Sequence, residues 1–282
     1  MRAFAAGTHP FLYPDQMDWP LPQKEELCEH IDWADCITIG QSHLPKDLWK
    51  DVDGRFTGIE WLERMKPKPI VMTHGGSFYR ADPDLFAEVY LPYVEATICF
   101  EADLMGWFKN EHLVLPPVEL KWFQPRKRFG GMTVGHFPSN PDNKGTEQIV
   151  PVLQKYKHKI STKQVAWPRQ LDRGADCDVI VDQIEPRIGE WVTWSSEIAA
   201  LGCIPIANSH NPQPYVETYG RMPGIHICNT LFEMEVELDR INGLSRKELD
   251  NEGKEARRWI EQCHTKEVTG RILMDQVFGP LL

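Results

Sequence analysis

The sequence predicts an α/β protein built from two strand-and-helix sets, and three observations carry that prediction. Short apolar runs end in polar residues or glycine, longer segments with helical spacing separate them, and a basic stretch containing proline and glycine divides the chain near its middle. At 282 residues the chain exceeds the usual size of one domain.

The runs are Cys36–Gly40 (CITIG), Pro69–Gly76 (PIVMTHGG), Gly130–Phe137 (GGMTVGHF), Cys177–Gln183 (CDVIVDQ) and Gly202–Asn208 (GCIPIAN). A continuous apolar run, as opposed to alternation, is what a strand covered on both faces needs, so parallel strands are expected. Helical spacing predicts helices over Gly58–Lys66, Thr146–Tyr156 and Trp191–Gly202. The boundary falls in Glu119–Gly131 (ELKWFQPRKRFGG), which gives a first domain over 1–125 and a second over 126–260. From Leu244 onward the chain reads as charged amphipathic helix, expected to bridge the domains or pack outside them. Its end, 261–282, is expected to fold back on the first domain.

With 41% hydrophobic and 26% charged residues, the composition is that of a folded protein, and the net charge of -10 opposes nonspecific attraction of the whole surface to polyanions. Seven cysteines with no CxxC pair give no disulfide framework, so buried thiols in a reducing compartment are expected. No run of 18 apolar residues occurs, and the prolines near the N-terminus interrupt any signal-like stretch, so the expectation is a soluble, cytoplasmic protein without a transmembrane segment.

Ligands of open parallel sheets bind beyond the carboxyl ends of the strands. The places to look are therefore His74-Gly75-Gly76-Ser77, His136–Ser139, Asp182-Gln183 and Ala207–His210. The most informative stretch is HFPSNPDNKGTEQIV, His136–Val150. A helix entered through Lys144-Gly145-Thr146 presents unpartnered N–H groups, Lys144 adds a positive charge, and Gly145 admits a ligand close to the backbone, a combination suited to phosphate. Thr146 or a neighbour is expected to cap this helix and Pro151 to tighten or bend its start; a capped helix with a solvated lysine is the alternative. Glu197, on the next helix, is placed to accept hydrogen bonds from two adjacent ribose hydroxyls; the alternative is an exposed helix residue.

In order and spacing, His136–Asn140 through Lys144-Gly145-Thr146, Val181-Asp182-Gln183, Glu197–Ile206 and Arg257–Thr265 resemble the nucleotide-binding half of the retaining GT-B glycosyltransferases, over about residues 130–282. Pro69–Ser77 with Arg80, and Val114–Glu119, look like the later part of that family's acceptor-side domain, whose early part is abbreviated here. The resemblance implies two Rossmann-like domains facing a cleft (GT-B). It implies a nucleotide-sugar donor, expected to be a UDP-sugar, with its diphosphate on Lys144 and Gly145, its ribose on Glu197, and Ser139, Gly76 and Asp182 around it. It implies hexosyl transfer with retention, without a metal or other cofactor, with His74 and Gln183 facing the sugar. The family's first glutamate falls on Gly189, with Glu190 beside it as the substitute. Pro141 and Asp142 occupy the stretch where a basic residue often precedes the lysine, leaving Arg169, Arg173 or Arg187 to supply it.

The rival chemistry is a divalent cation on an Asp-x-Asp pair, present at Asp51-Val52-Asp53, Asp82-Pro83-Asp84 and Asp176-Cys177-Asp178. The acceptor is open among a glycan, a lipid-linked sugar, a small molecule and a modified base in DNA. Lys121–Phe129 interleaves aromatic and basic residues, as a nucleic-acid groove or an anionic membrane surface would, or as an exposed linker can. A sugar-nucleotide-binding protein without catalysis is the alternative that the missing first glutamate motivates. No GxGxxG, Walker or GxSxG motif points to another class.

Overall fold

The computed structural model describes residues 24–41, 58–74, 80, 82–165, 169–184 and 193–282. In chain order, the first part holds α1 (Lys24–Trp33), β1 (Ile37–Gln41), α2 (Gly58–Met65), β2 (Ile70–His74), α3 (Pro83–Tyr90), β3 (Ala96–Cys99) and β4 (Glu111–Leu113). The second part holds β5 (Val134–His136), α4 (Thr146–Leu153), β6 (His158–Ile160), α5 (Arg169–Gly174), β7 (Val179–Val181), α6 (Thr193–Ala200), β8 (Ile204–Ala207), α7 (Gln213–Tyr219) and β9 (His226–Ile227). Three helices follow, α8 (Leu231–Asn242), α9 (Arg246–Cys263) and α10 (Lys266–Ile272), and a π-helical turn over Leu273–Phe278.

All strand pairs are parallel, in a four-stranded sheet of order β1-β2-β3-β4 and a five-stranded sheet of order β6-β5-β7-β8-β9. Each apolar run named above overlaps a strand. The strands that sequence reading misses are β3, β4, β6 and β9, of two to four residues, too short to display a period. Local chemistry sets the helix starts. Asp82 accepts from Leu85 N with Pro83 following it, and capping boxes open α8 (Thr230 with Glu233) and α9 (Ser245 with Glu248).

The second sheet's order decides where a ligand belongs. From β5 the chain goes to β6 on one side and returns to β7 on the other, so the loops leaving the carboxyl ends of β5 and β7 diverge and open a crevice.

One core cluster joins the two parts. Ala102, Leu113 and Leu115 pack with Tyr215, Ile225, Trp259 and Cys263. The C-terminal helices bridge them, as the amphipathic tail predicts. Helix α9 packs against α6 and β8. Beyond it, Ile272, Val277, Val268 and Phe278 close over Val71, Ala96, Ile98 and Val114 of the first sheet. Val118 N donates to His264 O at 2.7 Å and Thr269 Oγ1 to Leu115 O at 3.0 Å where the chain crosses back. Among the described residues no helix is long and apolar enough to cross a membrane. All seven cysteines are free, five of them buried.

Gly253 is where α9 comes closest to the sheet: a Cβ there would lie 2.2 Å from the carbonyl oxygen of Gly202, itself in the left-handed region at φ 70°. Backbone cannot yield as a side chain does. Gly253→Ala is therefore expected to destabilise the fold by about 1–3 kcal/mol in urea unfolding, whereas Gly270→Ala, with open space around it, is expected to be near neutral.

The stretch over 119–131 lies away from the crevice. Arg128 donates to the carbonyls of Ala175, Leu201 and Gly202, just before β7 and β8, so the segment runs along the amino ends of the strands. Arg126 pairs with Asp172 and Asp176, Phe123 is buried, and Lys127 sits over the ring of Phe129. Two of its three central basic residues thus already meet protein acceptors at the amino edge of the sheet, which favours the linker reading of this stretch over the groove.

Candidate functional site

Helix α4 begins at the carboxyl end of β5 through a tight turn. Asn140 Oδ1 accepts from Asp142 N and Asn143 N at 3.1 and 3.2 Å, and Gly145 stands at the N-cap with φ 66°. That left-handed conformation is the reason for glycine here. Gly145 O accepts from both Gln148 N and Ile149 N, a tight first turn, and Pro151 further on withholds the donor that Glu147 O would otherwise receive. Thr146 does not cap the helix. It occupies the first helical position, and its hydroxyl lies 2.9 Å from Nε2 of His136.

His136 is fully buried, and its other nitrogen, Nδ1, lies 2.9 Å from Val181 O on β7. A carbonyl can only accept, so Nδ1 carries the proton; burial pushes the ring's pKa down and keeps it neutral, and Nε2 accepts a hydrogen bond from Thr146 Oγ1. The imidazole thus ties the first turn of α4 to the neighbouring strand.

Lys144 is only partly solvated. Its Nζ donates to Asp182 Oδ1 and to Gln183 Oε1, both at 2.7 Å, across the divergence of β5 and β7. Asp182, 2% exposed, also accepts from Ser195 Oγ at 2.7 Å. The free positive charge expected from sequence is a charge-compensated one, because a buried carboxylate beside a flexible ammonium captures it. Glu197 is not an exposed helix residue either. It is 6% exposed, within a stretch Ser195–Ala200 that is buried throughout because α9 covers α6.

The structure thus brings Lys144, Gly145, Asp182 and Gln183 together at the switch point. Ser139 lies half-buried in the bend that follows β5, and His74 ends β2, in register with Cys99. Arg169 is exposed at the start of α5, which Gln170 Nε2 anchors to Phe137 O at 2.7 Å, near the same strand end. Gly76, Glu190, Gly189 and Arg187 lie outside the described residues. Sequence reading gives no role to the side chains of His136, Gln170 or Ser195; for His136 the signal was a polar residue inside an apolar run.

The Asp-x-Asp pairs point elsewhere. Asp82 caps α3. Asp176 pairs with Lys159 and Arg126, and Asp178 accepts from Thr133 N and Arg246, at the amino edge of β7. Asp51 and Asp53 lie outside the described residues. Among the described residues, no three His, Cys, Asp or Glu side chains converge as metal ligands would.

Two parallel α/β sheets whose crevice lies at a switch point, with the last helix returning to the first sheet, make up the fold of the GT-B glycosyltransferases. Solved structures with this fold match nearly the whole chain. HepE from Anabaena in complex with UDP superposes with a TM-score of 0.61 at 10% identity, over 90% of this chain and 81% of that one. An alpha-glucosyltransferase in complex with UDP-glucose and DNA containing an abasic site gives 0.62 at 12% identity, over 91% and 84%. Sucrose-phosphate synthase from Thermosynechococcus elongatus gives 0.60 at 13% identity, over 99% and 82%. At these identities the likeness is one of fold. No family model matches the sequence, and no curated protein does.

Proposed function

We propose that this chain is a glycosyltransferase that moves a hexose from a UDP-sugar to a hydroxyl acceptor, with retention and without a metal. The observation that carries the reading is the arrangement at the switch point, where the left-handed Gly145, the start of α4 and the ammonium of Lys144 meet at the divergence of β5 and β7 in a GT-B fold. That two of the structures with this fold hold UDP or UDP-glucose supports the choice of donor.

In the reaction the bond between the anomeric carbon and the phosphate oxygen breaks, and negative charge gathers on the leaving diphosphate. The start of α4, where the N–H groups of Lys144 and Thr146 already donate to Asn140 O and Pro141 O, offers its remaining N–H dipoles, and with the Lys144 ammonium they stabilise that charge. With retention, the acceptor oxygen attacks from the face the leaving group departs, and its proton passes to the departing phosphate, so no strong protein base is required. Glu197 takes the ribose hydroxyls. His74, at the end of β2, faces the sugar from the first sheet, and Gln183 holds Lys144 beside it.

A thermal-shift panel of UDP, GDP, ADP and their sugar conjugates, with and without EDTA, tests the reading. A shift with UDP and UDP-glucose that survives EDTA is expected, followed by release of UDP during transfer or slow hydrolysis. Binding without either turnover supports the non-catalytic alternative; a shift that needs metal sinks the metal-independent chemistry. DNA is a second acceptor reading, favoured by the alpha-glucosyltransferase complexes with DNA. Transfer of labelled glucose to a hydroxymethylated oligonucleotide, compared with oligosaccharide acceptors, decides between them.

A further inference from the structure

Both neighbours of Gly145 are held by three consecutive residues at the end of β7. Val181 O fixes His136, which fixes Thr146; Asp182 and Gln183 fix Lys144. An ammonium has three N–H bonds, and these two acceptors leave one for a ligand. A phosphate oxygen taking that bond shares the cation with a carboxylate that is 2% exposed and cannot turn to solvent.

The two ligands of the proposed reaction differ in charge at that point. Both phosphates of a sugar nucleotide are diesters or diphosphate bridges with about one negative charge each, whereas the terminal phosphate released by transfer ionises a second time near pH 6, at about the usual second phosphate pKa. The product therefore carries the greater negative charge close to Asp182.

Building on the donor reading above, we propose that Asp182 is a specificity-determining positioning residue: it holds Lys144 in place at the crevice and penalises the nucleoside diphosphate product more than the nucleotide-sugar donor. Ser195, on its other oxygen, fixes the carboxylate's direction.

Calorimetric affinities for UDP and UDP-glucose, measured on wild type, Asp182→Asn, Ser195→Ala and Gln183→Glu, test this. Asp182→Asn keeps the shape and leaves Gln183 on Lys144. It is expected to strengthen UDP binding by about tenfold more than UDP-glucose binding, as removal of one charge at short range in a partly buried site would. Gln183→Glu adds a carboxylate to the same ammonium and is expected to move the ratio the other way, which keeps the test alive if the first variant fails to fold. Ser195→Ala retains the charge and should leave the ratio near wild type. Equal weakening of both ligands in Asp182→Asn, the outcome for a residue that only holds Lys144, overturns the proposal, as does an unchanged ratio. If wild type binds none of UDP, UDP-glucose, GDP or ADP, the donor reading itself falls, and the proposal with it.

Discussion

Lys144→Ala is expected to lower affinity for UDP on the order of a hundredfold, about 2.8 kcal/mol, and to lower the melting temperature of the empty protein as well. The two effects have different origins. Affinity falls because the one side-chain cation held at the switch point among the described residues is gone. Stability falls because Asp182, 2% exposed, keeps the hydrogen bond from Ser195 Oγ but loses its counter-ion. Breaking one side of a buried pair costs about 3–5 kcal/mol; Lys144 retains 17% side-chain exposure, so the cost belongs at the lower end of that range. The double variant Lys144→Ala/Asp182→Asn separates them. It removes the stranded charge, so scanning fluorimetry should show most of the melting temperature restored while calorimetry still shows weak binding. If Lys144→Ala binds UDP as wild type does, the ammonium is not part of the donor site.

The fold was legible because its central strands are covered on both faces and so appear as unbroken apolar runs, such as VIV in β7 and IPIA in β8. The edge strand β9 has two residues and β6 is largely exposed, so neither carries that signature. Within the site, Lys144-Gly145-Thr146 could be recognised as a helix entry, since glycine and lysine have few other reasons to stand together there. The partners could not. Thr146 answers to His136 across a turn, Lys144 to Asp182 beyond another strand, and Asp182 to Ser195 on the following helix. Each pairing is made by tertiary proximity, and a linear pattern does not encode it. Glu197 illustrates the converse. On a lone helix its side chain reads as exposed, and only the cover supplied by α9 makes it buried.

Stability is expected to fall steadily as pH drops below about 6.5, well before carboxylates protonate. His264 is fully buried, its Nδ1 lies 3.2 Å from Pro116 O, and its ring meets Trp259 edge-on at 4.6 Å. Burial pushes its pKa down to about 3. Burial lowers His136 too, and half-buried His112 in the same direction. In the folded state His264 stays neutral across this range and burial makes the other two rings bind protons less readily, whereas in the unfolded chain all three take them up near their ordinary value of about 6.5. The unfolded state thus binds more protons below that point. The stabilisation is complete above about 6.5 and declines as pH falls toward the folded pKa, by up to about 1.4 kcal/mol per pH unit for each fully buried ring. Glu237, held down to about 2 beside His226 and Arg240, adds a loss of the same sign, but only below its ordinary carboxyl range. The interval from about pH 6.5 to 4.5 therefore isolates the histidines. Urea unfolding across it should show a slope reduced by about one proton in His264→Gln, whose amide can still donate to Pro116 O. A flat profile in wild type would mean that His264 takes its proton in the folded state. Its backbone carbonyl receives Val118 N where the chain leaves α9 for the first sheet, so the titrating ring lies at the joint between the terminal helices and that sheet.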